Sequence, residues 1–102
     1  MIIYISGPMT GLPSLNVDEF DRVEAELRAD GHVTFNPARS TICGNSRLMP
    51  RKFHIRRDIH DLLQADAIYM LDNWETSKGA TLEHAIAHEL KLTILFDRDR
   101  RR

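Results

Sequence analysis

Glu83, Asp72 and Ser77 share one short polar stretch, Asp72-Asn73-Trp74-Glu75-Thr76-Ser77-Lys78-Gly79-Ala80-Thr81-Leu82-Glu83-His84-Ala85, and Tyr4 stands in the apolar run Ile2-Ile3-Tyr4-Ile5 far upstream. A carboxylate beside a tyrosine hydroxyl, with a second carboxylate near, has the parts for glycosyl transfer through a covalent intermediate. One carboxylate attacks the anomeric carbon while another group handles the proton of the leaving group. A glycine opposite the nucleophile leaves room for a sugar, and Gly79 at the start of the following helix makes space for a ligand. By spacing alone the ordinary alternative stands beside this one, because a glutamate at a helix edge also serves as a salt-bridge partner.

The elements that must position these residues are legible around them. Ala67-Ile68-Tyr69-Met70-Leu71 has strand character and feeds the polar stretch, after which Ser77 N-caps a helix. In a wound α/β sheet ligands bind at the carboxyl ends of the strands, where helix N-termini also point. Leu82, Ala85, Ile86 and Leu90 form the apolar arc of this helix with Gly79 inside it, Glu83 falls at the edge of the buried face, and His84, His88 and Lys91 point to solvent. A carboxylate held there is partly desolvated, while the helix dipole and spare backbone donors help keep it ionised.

Upstream, Ile2 to Ile5 fits a strand buried on both faces. Gly7 and Gly11 bracket Pro8-Met9-Thr10 in a loop where backbone can approach a ligand. The pattern is neither Gly-x-Gly-x-x-Gly nor a Walker motif, which excludes standard dinucleotide and P-loop binding. Asn16 with Glu19 reads as a capping box for a helix whose apolar face is Val17, Phe20, Val23 and Leu27 and whose end is Gly31. His32 to Asn36 alternates as a second strand, closed by Pro37. Residues 38–49 lack periodicity and read as a long loop in which Arg39 and Arg47 either contact an anion or serve solubility.

Pro50 opens a helix striped with Ile55, Ile59, Leu62 and Leu63. Arg51 and Asp58 lie on one edge of that stripe and Arg56 on the other, so Asp58 is either a site residue or a partly buried partner of an arginine. Asp66 begins the third strand and Thr93-Ile94-Leu95-Phe96 is the fourth. The order β-α-β-α-β-α-β predicts a three-layer α/β sandwich with a Rossmann/flavodoxin-like four-stranded parallel sheet. Residues 1–97 make one domain and residues 98–102 a solvated basic tail.

Composition narrows the function classes. The 102 residues are 42% apolar and 28% charged, with 14 Lys plus Arg against 15 Asp plus Glu, a formal charge of −1 that disfavours nucleic acid as the main partner. A domain this small is often supported by association, so a homo-oligomer is expected. Cys43 is alone, which excludes an intrachain disulfide and fits a reducing cytoplasm. No run is long enough for a membrane span, and the N-terminus lacks the pattern of a signal peptide. His84 and His88 lack a third ligand, so no metal and no cofactor is expected.

Four motifs in order, Tyr4-Ile5-Ser6-Gly7-Pro8-Met9, Asn36-Pro37, Ala65-Asp66-Ala67 and Ser77-Lys78-Gly79-Ala80-Thr81-Leu82-Glu83-His84-Ala85-Ile86-Ala87, resemble the nucleoside 2-deoxyribosyltransferase superfamily. That superfamily includes 2′-deoxynucleoside 5′-monophosphate N-glycosidases and short phage and bacterial domains of unassigned function. The resemblance runs through Phe96 and implies that Glu83 attacks C1′ and that Tyr4 orients it. It also implies that Gly7, Pro8 and Met9 approach sugar and base and that Asp72 assists base departure. At the position of Ser77 the transferases carry Asp, facing a free 5′-hydroxyl, and the hydrolases Ser, which can donate to a 5′-phosphate. This chain departs from the hydrolase phosphate loop at Pro8 and Thr10, leaving Arg47, Arg51 or a tail arginine to meet a phosphate.

The expectation is therefore a cytoplasmic N-glycosidase acting on a (deoxy)nucleoside 5′-monophosphate through a glycosyl-Glu83 intermediate. Its rivals are a deoxyribosyltransferase and a catalytically silent nucleotide-binding or interaction module.

Overall fold

Side chains alternate along a strand, so each buried strand of a two-sided sheet feeds two cores at once. In the computed structural model, which describes residues 1–9, 11–42 and 51–100, strand β1 (Ile2–Ser6) does this. Ile3 and Ile5 enter one core, and Tyr4 enters the other. Strands β2 (Val33–Phe35), β3 (Ala67–Met70) and β4 (Thr93–Phe96) complete a fully parallel sheet in the order β2-β1-β3-β4. This is the four-stranded parallel α/β sandwich that the sequence predicts.

Helices α1 (Val17–Ala29) and α2 (Pro37–Ile42) supply Phe20, Val23, Leu27 and Ala38 to the first core. Helices α3 (Arg51–Leu63) and α4 (Lys78–Glu89) supply Leu62, Ala80 and Ala87 to the second. Phe20, Val23 and Leu27 recur at helical spacing and are fully buried, each such side chain adding about 1.5–3 kcal/mol. The winding from β1 to β2 runs one way and that from β3 to β4 the other. The chain therefore switches direction between β1 and β3, and a crevice opens at their carboxyl ends.

Four local expectations differ from the structure. Asn16 does not cap α1: it sits at φ 63° with no side-chain cap bond, and its Nδ2 instead donates to the Pro8 carbonyl at 3.0 Å, while Glu19 pairs with Arg22 at 2.8 Å. Helix α2 occupies the start of the expected loop, because the Asn36 side chain accepts from the Arg39 N–H at 3.2 Å and Pro37 takes the first turn. Arg39 is held by Asp21 at 2.6 Å. The rest of that loop, with Cys43 and Arg47, lies outside the described residues, as do Thr10 and the last two arginines.

Third, residues 98–100 of the expected tail stay exposed but are helical, continuing from Asp97 in α5 (Asp97–Arg100), where Asp97 is only 2% exposed and Arg100 lies 3.4 Å from Asp30. Fourth, α4 is rolled about its axis relative to the predicted arc. Ala80 and Ala87 are buried while Leu82 and Leu90 are 44% and 46% exposed. Large residues of the sheet, Tyr4, Ile68 and Met70, fill the second core and favour alanines directly above them, with Ile86 of the predicted arc packed at the side. His84, expected in solvent, is half-buried and stacked on Trp74 at 4.5 Å.

Candidate active site

The roll of α4 has a chemical result. Glu83 belongs to the row Ala80, Glu83, Ala87, at i, i+3 and i+7, so a carboxylate sits in the middle of the face turned to the sheet. Beneath it, Tyr4 and Ser6 share the face of β1 opposite to Ile3 and Ile5. Tyr4 Oη donates to Glu83 Oε2 and Ser6 Oγ to Glu83 Oε1, each at 2.7 Å. Both donors are fully buried. The sequence predicts the tyrosine contact through the family resemblance; Ser6 was recoverable from its two-residue offset from Tyr4 on the same strand face.

Burial pushes the Glu83 carboxyl up from 4.5 to about 7, against the bonds from Tyr4 and Ser6 that lower it, and the Asp58 charge raises it further. Burial likewise raises Asp58 from 3.8 to about 6, with Arg57 opposing and Asp61 adding. Tyr4 is held well above its ordinary value by burial and by the neighbouring Glu83, Asp58 and Asp61 carboxylates. Asp58 therefore lies within electrostatic reach of both groups of the pair. It also has an arginine partner, Arg57 at 3.5 Å, as the second of the two readings of Asp58 from sequence expects, though from a different position than Arg56.

The remaining predicted residues gather at the crevice between β1 and β3. A cavity of about 790 Å³ is lined by Pro8 and Met9 after β1, by Asp72 and Asn73 after β3, and by Ser77, Lys78 and Gly79 at the start of α4. Glu83 is not part of this wall; it lies one helical turn beyond Gly79. Ser77 Oγ accepts from the Ala80 N–H at 3.1 Å, which satisfies a free donor of the helix end and leaves its hydroxyl proton for a ligand. A Cβ on Gly79 would meet only Ser77 Oγ at 3.9 Å, so the residue is small beside open space.

Gly7 differs. A Cβ there would come within 2.7 Å of the Leu71 Cβ, so glycine is what lets the ends of β1 and β3 touch at the switch point. Asn16, Glu19 and Asp97 close the far side of the cavity, a contribution from α1 and α5 that the sequence reading did not include. Among the described residues no group of three or more His, Cys, Asp or Glu is arranged to hold a metal ion, and no helix is long and apolar enough to cross a membrane.

Residues 1–96 match the family described as "Domain of unknown function (DUF4406)". The chain belongs to that family. The DUF4406 chain superposes on a solved structure of 2-deoxyribosyltransferase from the psychrotolerant bacterium Bacillus psychrosaccharolyticus with a TM-score of 0.76. The two are 20% identical, over 94% of this chain and 71% of the other, a likeness of fold. The resemblance read from the motifs is thus matched by the architecture. No curated protein matches this DUF4406 chain.

Proposed function

We propose that this DUF4406 domain cleaves the N-glycosidic bond of a nucleoside or nucleotide, with Glu83 as nucleophile. The observation that carries the reading is the paired grip of two buried hydroxyls on a carboxylate one turn from a cavity at the switch point. Glu83 attacks C1′, the C1′–N bond breaks with its electron pair leaving on the base, and a glycosyl ester forms. Water then opens the ester and returns the carboxylate. Asp72, in the cavity wall, has the position to protonate the departing base, while Asp58, with its carboxyl raised to about 6, has the chemical state for it.

For substrate we favour the (deoxy)nucleoside 5′-monophosphate. Ser77 keeps a hydroxyl proton at the N-terminus of α4 and Lys78 adds a cation in the same wall, features that suit a phosphate. A second reading, deoxyribosyl transfer from a nucleoside with a free 5′-hydroxyl, draws on the Glu19, Asp72 and Asp97 carboxylates of the cavity, which repel a dianion. The protein is proposed to act in the cytoplasm as a homo-oligomer, a reading supported by the exposed Leu63, Leu82 and Leu90 on α3 and α4.

Incubation with a panel of nucleosides and monophosphates, followed by chromatography of free base, tests the reading. Base released from monophosphates and lost in Glu83→Ala is the expected result. Exchange onto an added second base supports transfer, and release undiminished in Glu83→Ala rejects the nucleophile. Asp72→Asn and Asp58→Asn, compared on substrates with good and poor leaving bases, identify the proton donor as the variant whose loss is larger for the poor one.

A further inference from the structure

Ser6 is a buried polar group in a place that does not need one. It ends β1, pairs with Met70 of β3 and is fully buried under Glu83 of α4. An alanine would fill nearly the same space, and a buried hydroxyl is costly unless bonded. Its bond runs to Glu83 Oε1 at 2.7 Å, on the oxygen that Tyr4 does not hold.

We propose that Ser6 is a positioning residue for Glu83, donating to Oε1 so that the carboxylate is kept ionised and its plane fixed toward the sugar; the role in turnover rests on the reaction proposed above. The groups around Glu83 show why a neutral donor matters. From β1 it faces Tyr4 and Ser6; from α3 it feels Asp58, whose surroundings are Arg57, Asp61 and His54. Among the described residues, the charge that acts on Glu83 is the carboxylate of Asp58, which disfavours ionisation. The arginine of the group, Arg57, lies against Asp58 at 3.5 Å and its Nη2 is 3.3 Å from His54 Nδ1. Two neutral hydroxyls therefore hold the ionised form against burial, one on each oxygen. Removing Ser6 Oγ leaves Oε1 without its donor.

The test follows the Glu83 carboxyl by 13C NMR in protein labelled at the glutamate side-chain carboxyls, with Glu83→Gln identifying the resonance. Ser6→Ala is expected to move its titration upward by roughly one unit, a tenfold weaker acid. Ser6→Cys, which keeps a weak donor at similar volume, moves it the same way by less and serves if the alanine variant does not fold. In the assay of base release, Ser6→Ala lowers kcat/KM about fivefold at pH 7 with KM little changed, and the loss closes as pH rises. A titration unmoved by either Ser6 variant, while Tyr4→Phe moves it, overturns the proposal and leaves Ser6 a packing residue. The titration needs no substrate, so absence of base release from the parent protein overturns the proposed reaction separately.

Discussion

The molecule contains the same hydrogen bond twice. Tyr4 on β1 donates to Glu83 at 2.7 Å, and Tyr69 on β3 donates to Asp97 at 2.7 Å; both phenols are fully buried, in opposite cores of one sheet. The surroundings of the two carboxylates differ. Asp97 also receives Arg22 Nη2 at 2.9 Å, so its charge is compensated and the trio ties α1, β3 and α5 together. Glu83 has Ser6 in place of the arginine and the Asp58 carboxylate as its neighbour. A phenol on a buried carboxylate thus does not by itself mark chemistry. The partner on the other oxygen decides whether the group is a brace or is held near its titration point.

The largest test of this contrast exchanges the carboxylates' fates. Glu83→Gln should lower base release by about a thousandfold or more, while a denaturant melt shows no large loss of stability, because the amide keeps an oxygen to accept from the buried hydroxyls. Asp97→Ala should do the reverse, costing about 2–3 kcal/mol in the melt because Tyr69 Oη loses its buried acceptor and Arg22 its buried counter-ion. Its turnover per folded molecule should stay within a fewfold of the parent.

Next in size is the response to pH. The folded carboxyls of Glu83 and Asp58 hold protons to about 7 and about 6, whereas in the unfolded chain they release them near 4.5 and 3.8. Native protein then binds more protons than unfolded protein across that interval, so the stability these groups contribute is complete below about pH 4 and is lost as pH rises through about 6 to 7. Melts at stepped pH should show this decline, and Glu83→Gln should flatten it and be the more stable protein at pH 8 by about 1–2 kcal/mol. In the reaction proposed above activity runs against stability, since a carboxylate nucleophile works only when ionised.

The smallest effects come from the two phenols. Tyr4→Phe should move the acid limb of the kcat/KM profile to higher pH by about one unit. Tyr69→Phe should leave that limb in place and lower stability by about 1 kcal/mol. An equal response of the pH profile to both substitutions would remove the distinction between brace and reactive group.

The strands, the start of α4 and the end of α1 were legible because their signals are local. Ser77 as the N-cap of α4 and Gly31 at φ 92° after α1 are positions where a backbone need selects a residue type. The roll of α4 was not legible, because Leu82 and Leu90 are the more apolar residues of the helix and only the size of the side chains beneath it favours the alanine face. Asp97 was read as the last residue before a charged tail, since nothing in Asp97-Arg98-Asp99-Arg100 shows that Arg22 and Tyr69 await it from elements far away in sequence. Asn36-Pro37 carried a helix-start signal that the alternation of the preceding strand concealed. The Tyr4–Glu83 pair came from motif resemblance; the reason it is poised, two neutral donors and a nearby carboxylate, is a matter of three-dimensional neighbours.

Ala80 and Ala87 set the height of α4 above the sheet, and Glu83 hangs midway between them. They act as spacers for a measuring instrument whose reading is the distance from carboxylate to phenol and serine. A single added methyl group at either alanine lifts the helix and weakens both contacts together, with no catalytic atom altered. In the proposed reaction the reactivity of Glu83 can therefore be graded by residues that carry no chemistry.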